Sequence, residues 1–160
     1  MANGVISDEA VLLELLNSAR IVDGVPIDEL RGAGASDWLR AHGIPGTPKA
    51  VRELRDAIAG VVRGQQPPAV LQRFVDGMRQ VPVVGESGVE WKVERGRFAS
   101  RAVLAWSGLQ GRLRPCENDA ECRLFLIDRS KANARRWCSM STCGNRLKAR
   151  RHQDRVRSTG

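Results

Sequence analysis

Apolar residues recur at helical spacing in five stretches of the first 110 residues. The stretch after Thr47-Pro48 is the clearest, because threonine caps a helix, proline suits the first helical position, and Gly64 marks the end. We expect the charged residues of this helix to lie on its solvent-exposed faces. A Leu-rich run after Ser7 has a similar cap, and Asn17 is expected to end it. The predicted helices cover residues 8–17, 36–42, 48–63, 69–79 and 99–109.

A period of two, typical of a strand, replaces the helical period at residues 89–93. Together with the preceding 82–84 and the turn sequence Gly-Glu-Ser-Gly between them, it predicts one β-hairpin. We expect Val89, Trp91 and Val93 to face the helices. The Asp-Gly pair at 23–24, between two short apolar pieces, predicts a turn. Residues 1–111 are therefore predicted to form a mainly helical domain with one hairpin.

The last third of the chain is organised around cysteine. All four cysteines fall in one short stretch, as Cys116-x5-Cys122 and Cys138-x4-Cys143 with fifteen residues between the pairs. Two close pairs around such a spacer are typical of a structural zinc site, in which each pair supplies two thiolates from a tight turn. Four unrelated buried thiols or two disulfides are the alternatives, but nothing in the chain indicates an oxidising compartment. The pattern favours Zn²⁺ with all four cysteines as ligands.

The residues between and after the cysteine pairs predict the local fold of residues 112–160. We expect residues 123–127 and 135–138 to form a two-stranded hairpin, with Phe125 and Trp137 packed beside the metal. A helix that carries the last cysteine should follow, and Gly144 should let it approach the first cysteine pair closely. This arrangement is that of a treble clef. The complete prediction is an α+β chain with domains at 1–111 and 112–160.

Charge is distributed unevenly along the chain. Residues 1–111 contain 13 basic and 13 acidic residues, whereas residues 112–160 contain 13 basic and 5 acidic residues, which places the whole net charge of +8 in the second part. Four thiolates around Zn²⁺ would leave about +6 there. Such a surplus indicates a phosphate-bearing partner, with DNA favoured over a merely solvated tail. The candidate nucleic-acid contacts are Arg135, Arg136, Arg146, Lys148, Arg150, Arg151 and Arg155.

Two stretches resemble known families. The run Arg136-Trp-Cys-Ser-Met140, the cysteine spacings, the tetrapeptide Cys143-Gly-Asn-Arg146 and the basic residues after it resemble the CGNR zinc finger. The Leu-rich opening that contains Asn17 resembles the ABATE domain, although Leu15 stands where many members have an aromatic residue. The resemblance implies zinc binding and DNA-directed transcriptional regulation. It also implies an N-terminal domain that binds a small ligand or mediates association, for example as a homodimer.

Several functions and locations are disfavoured by the sequence. There is no nucleotide-binding glycine loop and no Ser/His/Asp constellation, and His42 and His152 lie far apart, so we do not expect an enzyme. No apolar run reaches 18 residues and the N-terminus lacks a signal-peptide pattern, which predicts a cytoplasmic protein without a membrane partner. The predicted function is a zinc-binding, DNA-binding transcriptional regulator. The alternative is a zinc-stabilised RNA- or protein-interaction module.

Overall fold

The computed structural model describes residues 7–158, except for the side chains of Arg95, Arg151 and Ser158. Helices and short two-stranded sheets alternate along this part of the chain. The α-helices are α1 (Asp8–Asn17), α2 (Ala35–Ala41), α3 (Pro48–Val62), α4 (Gln72–Val75), α5 (Phe98–Gly108) and α6 (Asn145–Ser158). The strands are β1 (Ala19–Val22), β2 (Val25–Asp28), β3 (Arg79–Gly85), β4 (Gly88–Arg95), β5 (Leu113–Pro115) and β6 (Phe125–Ile127). A 3₁₀ turn over Pro68–Leu71 precedes α4, and a π-helical turn over Met140–Gly144 precedes α6.

The two predicted helix caps are confirmed. The Thr47 hydroxyl accepts a hydrogen bond from the backbone N–H of Ala50 at 3.3 Å, and Ser7 accepts one from Ala10 at the same distance. Each cap satisfies one of the N–H groups that the first helical turn leaves without a partner. The helix predicted over residues 69–79 is shorter than expected, because Gly77 adopts a φ of +77° and the chain then enters β3.

One charged residue of α3 is buried, contrary to the prediction. The Arg55 side chain is 3% exposed and donates hydrogen bonds to both carboxylate oxygens of Asp28, at 2.6 and 2.9 Å. It also donates to the Ser18 hydroxyl at 3.0 Å. Arg55 lies four residues after Val51, so it belongs to the buried stripe of α3 and needs these partners. The guanidinium lowers the pKa of Asp28 below its usual value, although burial opposes this shift.

One hydrophobic core includes residues that precede residue 111 in the sequence and residues that follow it. Leu12, Leu15 and Leu16 of α1 pack with Leu54 and Ile58 of α3. The same core continues into the last third of the chain through β5 and β6, which contribute Leu113, Phe125 and Ile127. The polypeptide around the first cysteine pair is therefore continuous with the core of the N-terminal part.

The sheets differ from the prediction in two respects. Residues 7–111 hold two hairpins, because β1 and β2 also pair, around Asp23 and Gly24 with φ values of 50° and 80°. Positive φ at both positions is the geometry that Asp-Gly favours in a two-residue hairpin turn. In the last third, β6 pairs with β5 and not with residues 135–138. Asp128 bends the chain after β6, since its carboxylate accepts the backbone N–H groups of Ser130 and Arg135 at 2.8 and 2.6 Å.

The predicted packing of the β3–β4 hairpin on the helices is wrong for two of its three residues. Trp91 and Val89 are exposed, whereas Val93, near the base of the hairpin, is half-buried. Alternation along a strand shows which residues share a face, but not whether another element covers that face. Across residues 7–158, no helix combines the length and apolar character needed to cross a membrane.

Candidate metal centre and basic helix

The first cysteine pair closes a compact loop, called here the knuckle (residues 116–122). The N–H of Cys122 donates to the carbonyl of Asn118 at 2.9 Å, and the N–H of Cys116 donates to the carbonyl of Leu124 at 2.7 Å. Arg123 adopts a φ of 61°, which returns the chain towards Cys116. The side chain of Asn118 is buried inside the loop and hydrogen-bonds Cys143. These contacts place both sulfur atoms of the knuckle on its inner side.

The second cysteine pair reaches the knuckle from the irregular segment before α6. The N–H of Glu117 donates to the carbonyl of Arg136 at 2.9 Å, which joins this segment to the knuckle. The π-helical turn then places Cys143 in a buried position just before α6. Asn145 donates from its side-chain amide to the carbonyl of Ser141 at 3.3 Å, which is a local contact with the backbone of the π-helical turn.

The four sulfur atoms converge on one point. One ligand atom from each cysteine lies within 4.8 Å of every other. The Cys122–Cys138 and Cys138–Cys143 sulfur distances are both 3.6 Å. A tetrahedral zinc ion with Zn–S bonds of about 2.3 Å requires sulfur atoms about 3.8 Å apart. A disulfide would need about 2.05 Å, and all four cysteines are free. The cysteine set therefore fits Zn²⁺.

The protonation of the thiols also fits a cation at this point. Burial raises the pKa of Cys122 to about 11 and raises that of Cys138 still further, so these groups alone would stay protonated at neutral pH. Burial opposes ionisation of Cys143 as well, but hydrogen bonds from the neighbouring thiols and Asn118 lower its pKa. A dication supplies the charge that converts buried thiols to thiolates.

The apolar surroundings of the sulfur cluster differ partly from the prediction. Trp137 packs against the cluster together with Leu124, as expected for an aromatic residue beside the site. Phe125 belongs to the main core, because the side chains of a strand alternate and that of Phe125 faces α1 and α3. The three atoms nearest to a Cβ placed at Gly144 belong to Met140 and Trp137, and not to the knuckle. A Cβ atom there would meet Met140 Sδ at 3.1 Å and the Trp137 ring at 3.6 Å.

One side chain of the N-terminal part holds the knuckle and another holds β6, which follows it, and the sequence pattern did not indicate either contact. Asn17 pairs with the backbone of Phe125: its amide oxygen accepts the N–H at 2.7 Å, and its amide nitrogen donates to the carbonyl at 3.3 Å. Arg63, at the end of α3, donates to both carboxylate oxygens of Asp119 at 2.8 Å. It also donates to the carbonyl of Arg123 at 3.1 Å, and its guanidinium lies 4.2 Å from the centroid of the Phe125 ring.

Arg135, Arg136 and Arg150, all predicted nucleic-acid contacts, form hydrogen bonds or ion pairs close to the sulfur cluster. Arg135 donates to the carbonyls of Trp137 and Cys138, at 3.0 and 2.6 Å. Arg136 forms an ion pair with Glu117 and lies over the Trp137 ring. These two arginines therefore help to fix the segment that carries Cys138.

The third of these arginines connects α6 to the knuckle. Arg150 forms an ion pair with Glu121, and its hydrogen bond lowers the pKa of that carboxyl group. A nucleic acid that recruits Arg150 would have to compete with Glu121.

The remaining predicted contacts lie on α6, where every residue with a described side chain is exposed except the half-buried Leu147. Arg146, Lys148 and Arg155 are exposed, and the side chain of Arg151 lies outside the described residues. On a helix with 3.6 residues per turn, Arg146 shares one flank with Arg150, whereas Lys148 shares another with Arg155. α6 thus offers two basic flanks to solvent directly after the sulfur cluster.

Two family models match this chain. The CGNR zinc finger matches residues 112–156. ABATE, described as "Putative stress-induced transcription regulator", matches residues 9–121, which is more than two thirds of the chain. The two matches overlap at the knuckle, where the structure joins the sulfur cluster to the main core. No curated protein matches the chain.

Proposed function

The chain belongs to the ABATE family and ends in a CGNR zinc finger, and from this premise we propose that it is a zinc-dependent transcriptional regulator that binds DNA through α6. Cys116, Cys122, Cys138 and Cys143 would hold the zinc ion, whose role is to fasten the knuckle to the start of α6. The observation that carries the proposal is the exposed basic helix that begins directly at the sulfur cluster.

The shape and charge of α6 suit duplex DNA. The major groove is about 12 Å wide and admits an α-helix, whose diameter with side chains is about 10–12 Å. Arg146 and Lys148 stand in the first turn, next to the π-helical turn that carries Cys143. We propose these two residues as phosphate contacts, with Arg155 further along the helix. Arg150 would contribute only after it leaves Glu121.

The combination of a cysteine-bearing loop, a second cysteine pair and a ligand-bearing helix is that of a treble clef. In this chain the hairpin of that arrangement would be replaced by the β5–β6 pair, which belongs to the main core. A site closed by four thiolates leaves no coordination position for a substrate. We therefore propose a structural role for the metal and no enzymatic activity for the chain.

The N-terminal part would sense a ligand or mediate association. A cleft of about 510 Å³ supports the sensing role, since residues of β1, β2 and α3 line it together with Arg123, the residue that follows Cys122. Arg20, Arg31 and Arg55 also line the cleft, together with Asp28 and Asp56, the two carboxylates that pair with Arg55. A ligand in this cleft would contact both the N-terminal part and Arg123, directly after the knuckle.

Zinc removal and restoration test the proposal. We expect elemental analysis of freshly purified, reduced protein to give one zinc per chain. Treatment with a chelator should abolish binding to labelled duplex DNA, and added Zn²⁺ should restore it. A pooled-oligonucleotide selection that enriches one sequence would support a DNA regulator. Equal affinity for duplex DNA, structured RNA and heparin would favour the zinc-stabilised interaction module, and protein free of zinc would overturn the proposal.

A further inference from the structure

The β3–β4 hairpin presents an apolar face to solvent. Val84 is 81% exposed, Val89 62% and Trp91 65%. The register pairs Val84 with Val89 and Pro82 with Trp91, so these four side chains lie on one face of the hairpin. A two-stranded hairpin is marginally stable in water unless another element covers it. This face is therefore a candidate interaction surface.

Within residues 7–158 the hairpin pairs with no third strand, and one of its two edges is open. Hydrogen-bonded and non-hydrogen-bonded pairs alternate along antiparallel strands. The two-residue turn makes Gly85–Gly88 a hydrogen-bonded pair, so Pro82–Trp91, three positions away, is a non-hydrogen-bonded pair. The backbone N–H and C=O groups of Trp91 consequently point away from β3, as do those of Val89 and Val93. They form a row of groups on the outer edge of β4 that another strand can use.

The outer edge of β3 is less suitable for pairing. By the same alternation, the residues of β3 that point outward are Gln80, Pro82 and Val84. Pro82 has no N–H group, and proline at an outward position is a common way to prevent a strand edge from pairing. The hairpin therefore has one protected edge and one available edge.

The available edge is complementary to itself. If two copies of β4 pair antiparallel about a two-fold axis at Trp91, Val89 of one copy lies opposite Val93 of the other. The outward-pointing backbone groups then face each other in both copies. In the same register each Glu90 lies opposite Lys92 of the other copy, on the face away from Trp91. Opposite charges in such cross-strand positions stabilise a sheet, whereas like charges would oppose it.

The charge of the hairpin favours a second copy over nucleic acid as the occupant. Residues 79–95 contain three basic and three acidic residues, within a chain whose net charge is +8. An electrically neutral, apolar surface does not repel a second copy of itself. It also lacks the surplus of positive charge that would attract the phosphates of a nucleic acid. We propose that β4 is a dimerisation edge, through which two chains form a continuous four-stranded antiparallel sheet centred on Trp91. This inference specifies the association role proposed above for the N-terminal part.

Sedimentation equilibrium of the full-length, zinc-loaded protein without DNA tests the dimer. We expect the wild-type chain to show a concentration-dependent dimer, and Trp91→Arg to sediment as a monomer at the same concentrations. Val25→Arg is the matched control, since Val25 is an exposed apolar residue of the other hairpin, and it should still dimerise. Because no DNA is present, a negative result here leaves the proposal for α6 untouched. A wild-type monomer, or a dimer that Trp91→Arg does not weaken, would overturn the inference.

Disulfide cross-linking tests the register. Residues 90 and 92 of opposite copies would form a non-hydrogen-bonded pair with Cα atoms about 4.5 Å apart, which is within reach of a disulfide. We expect a mixture of Glu90→Cys and Lys92→Cys chains to cross-link on mild oxidation far more than either variant alone, with zinc present to protect the native thiols. Stronger cross-linking within one variant alone would contradict the two-fold axis at Trp91.

Discussion

The contact of Arg63 with Asp119 and Arg123 predicts that α3 stabilises the knuckle directly. Replacing Arg63 by alanine removes two hydrogen bonds to the Asp119 carboxylate, one to the carbonyl of Arg123 and the contact with the Phe125 ring. The Arg63 side chain is only 15% exposed, while Asp119 is 36% exposed. In the variant, water can therefore partly solvate the Asp119 carboxylate. Water cannot replace the contacts that the Arg63 guanidinium makes with the Arg123 carbonyl and the Phe125 ring.

The magnitude follows from these contacts. Hydrogen bonds to charged groups contribute about 1.5–3 kcal/mol each when well shielded, and a cation–π contact contributes about 0.5–2 kcal/mol. Partial exposure of Asp119 reduces the first contribution, since exposed ion pairs contribute about 0.2–1 kcal/mol. We expect Arg63→Ala to lower the free energy of unfolding by about 2–3 kcal/mol. About 1–2 kcal/mol of this should appear as coupling to Asp119.

Urea unfolding of the zinc-loaded protein, followed by tryptophan fluorescence, measures both quantities through the double-mutant cycle Arg63→Ala and Asp119→Ala. The control cycle uses Arg40 and Asp37 of α2, an i,i+3 pair whose side chains are 77% and 75% exposed. Its coupling should be about 0.5 kcal/mol or less. A coupling between Arg63 and Asp119 no larger than that of the control pair would refute the argument that α3 holds the knuckle.

Two further predictions concern carboxylates that accept several hydrogen bonds within the fold. Asp28→Asn should lower the free energy of unfolding by about 2–3 kcal/mol at neutral pH, because it removes one of the two carboxylates that pair with the buried Arg55 guanidinium and leaves only the more exposed Asp56. The pKa of Asp28 is lowered in the folded protein, so its contribution to stability is present above its unfolded pKa and is lost as pH falls through the folded value. Urea titrations at several pH values should therefore show the two proteins converging in acid. Hydrogen bonds from Ser130 lower the pKa of Asp128 to about 2, so an NMR titration should show this carboxyl group ionised throughout pH 4–7, and protonation near pH 4 would contradict the observed contacts.

The parts of the fold that depend on neighbouring residues could be predicted from the sequence. The caps at Ser7 and Thr47 act within one turn of helix, so local residue types were sufficient to predict them. The cysteine spacing likewise predicted the sulfur cluster, because the two cysteines of each pair are close in sequence. The Asp23-Gly24 turn was also predicted. Its flanking strands were not, because each is only four residues long and shows no clear alternation.

Contacts between distant parts of the chain could not be predicted in this way. Asn17 and Phe125 are 108 positions apart, and Arg63 and Asp119 are 56 apart, so no local pattern connects them. The burial of Arg55 could have been predicted, since its position on the apolar stripe of α3 follows from helical spacing. Its partner Asp28 could not be predicted, because the two residues are 27 positions apart and meet only through the packing of the β1–β2 hairpin on α3.

The basic residues show why charge alone does not define an interface. The surplus of charge after residue 111 is a property of the sequence, but its availability depends on the fold. Arg136 and Arg150 form ion pairs with acidic residues of the knuckle, whereas Arg146 acts on Glu121 through its charge and Lys148 is exposed on α6. The structure therefore selects the last two as the residues whose replacement should report on nucleic-acid binding with least disturbance of the metal centre.

The most direct test of the central claim is the salt dependence of DNA binding for the Arg146→Ala/Lys148→Ala double variant. Each lost phosphate contact should reduce the slope of log K against log salt concentration by about 0.9. Fluorescence anisotropy with a labelled duplex should therefore show weaker binding and a slope smaller by about 2. Lys49→Ala, an exposed control on α3, should leave both unchanged. A double variant that keeps its zinc, its affinity and its slope would contradict the claim that α6 binds DNA.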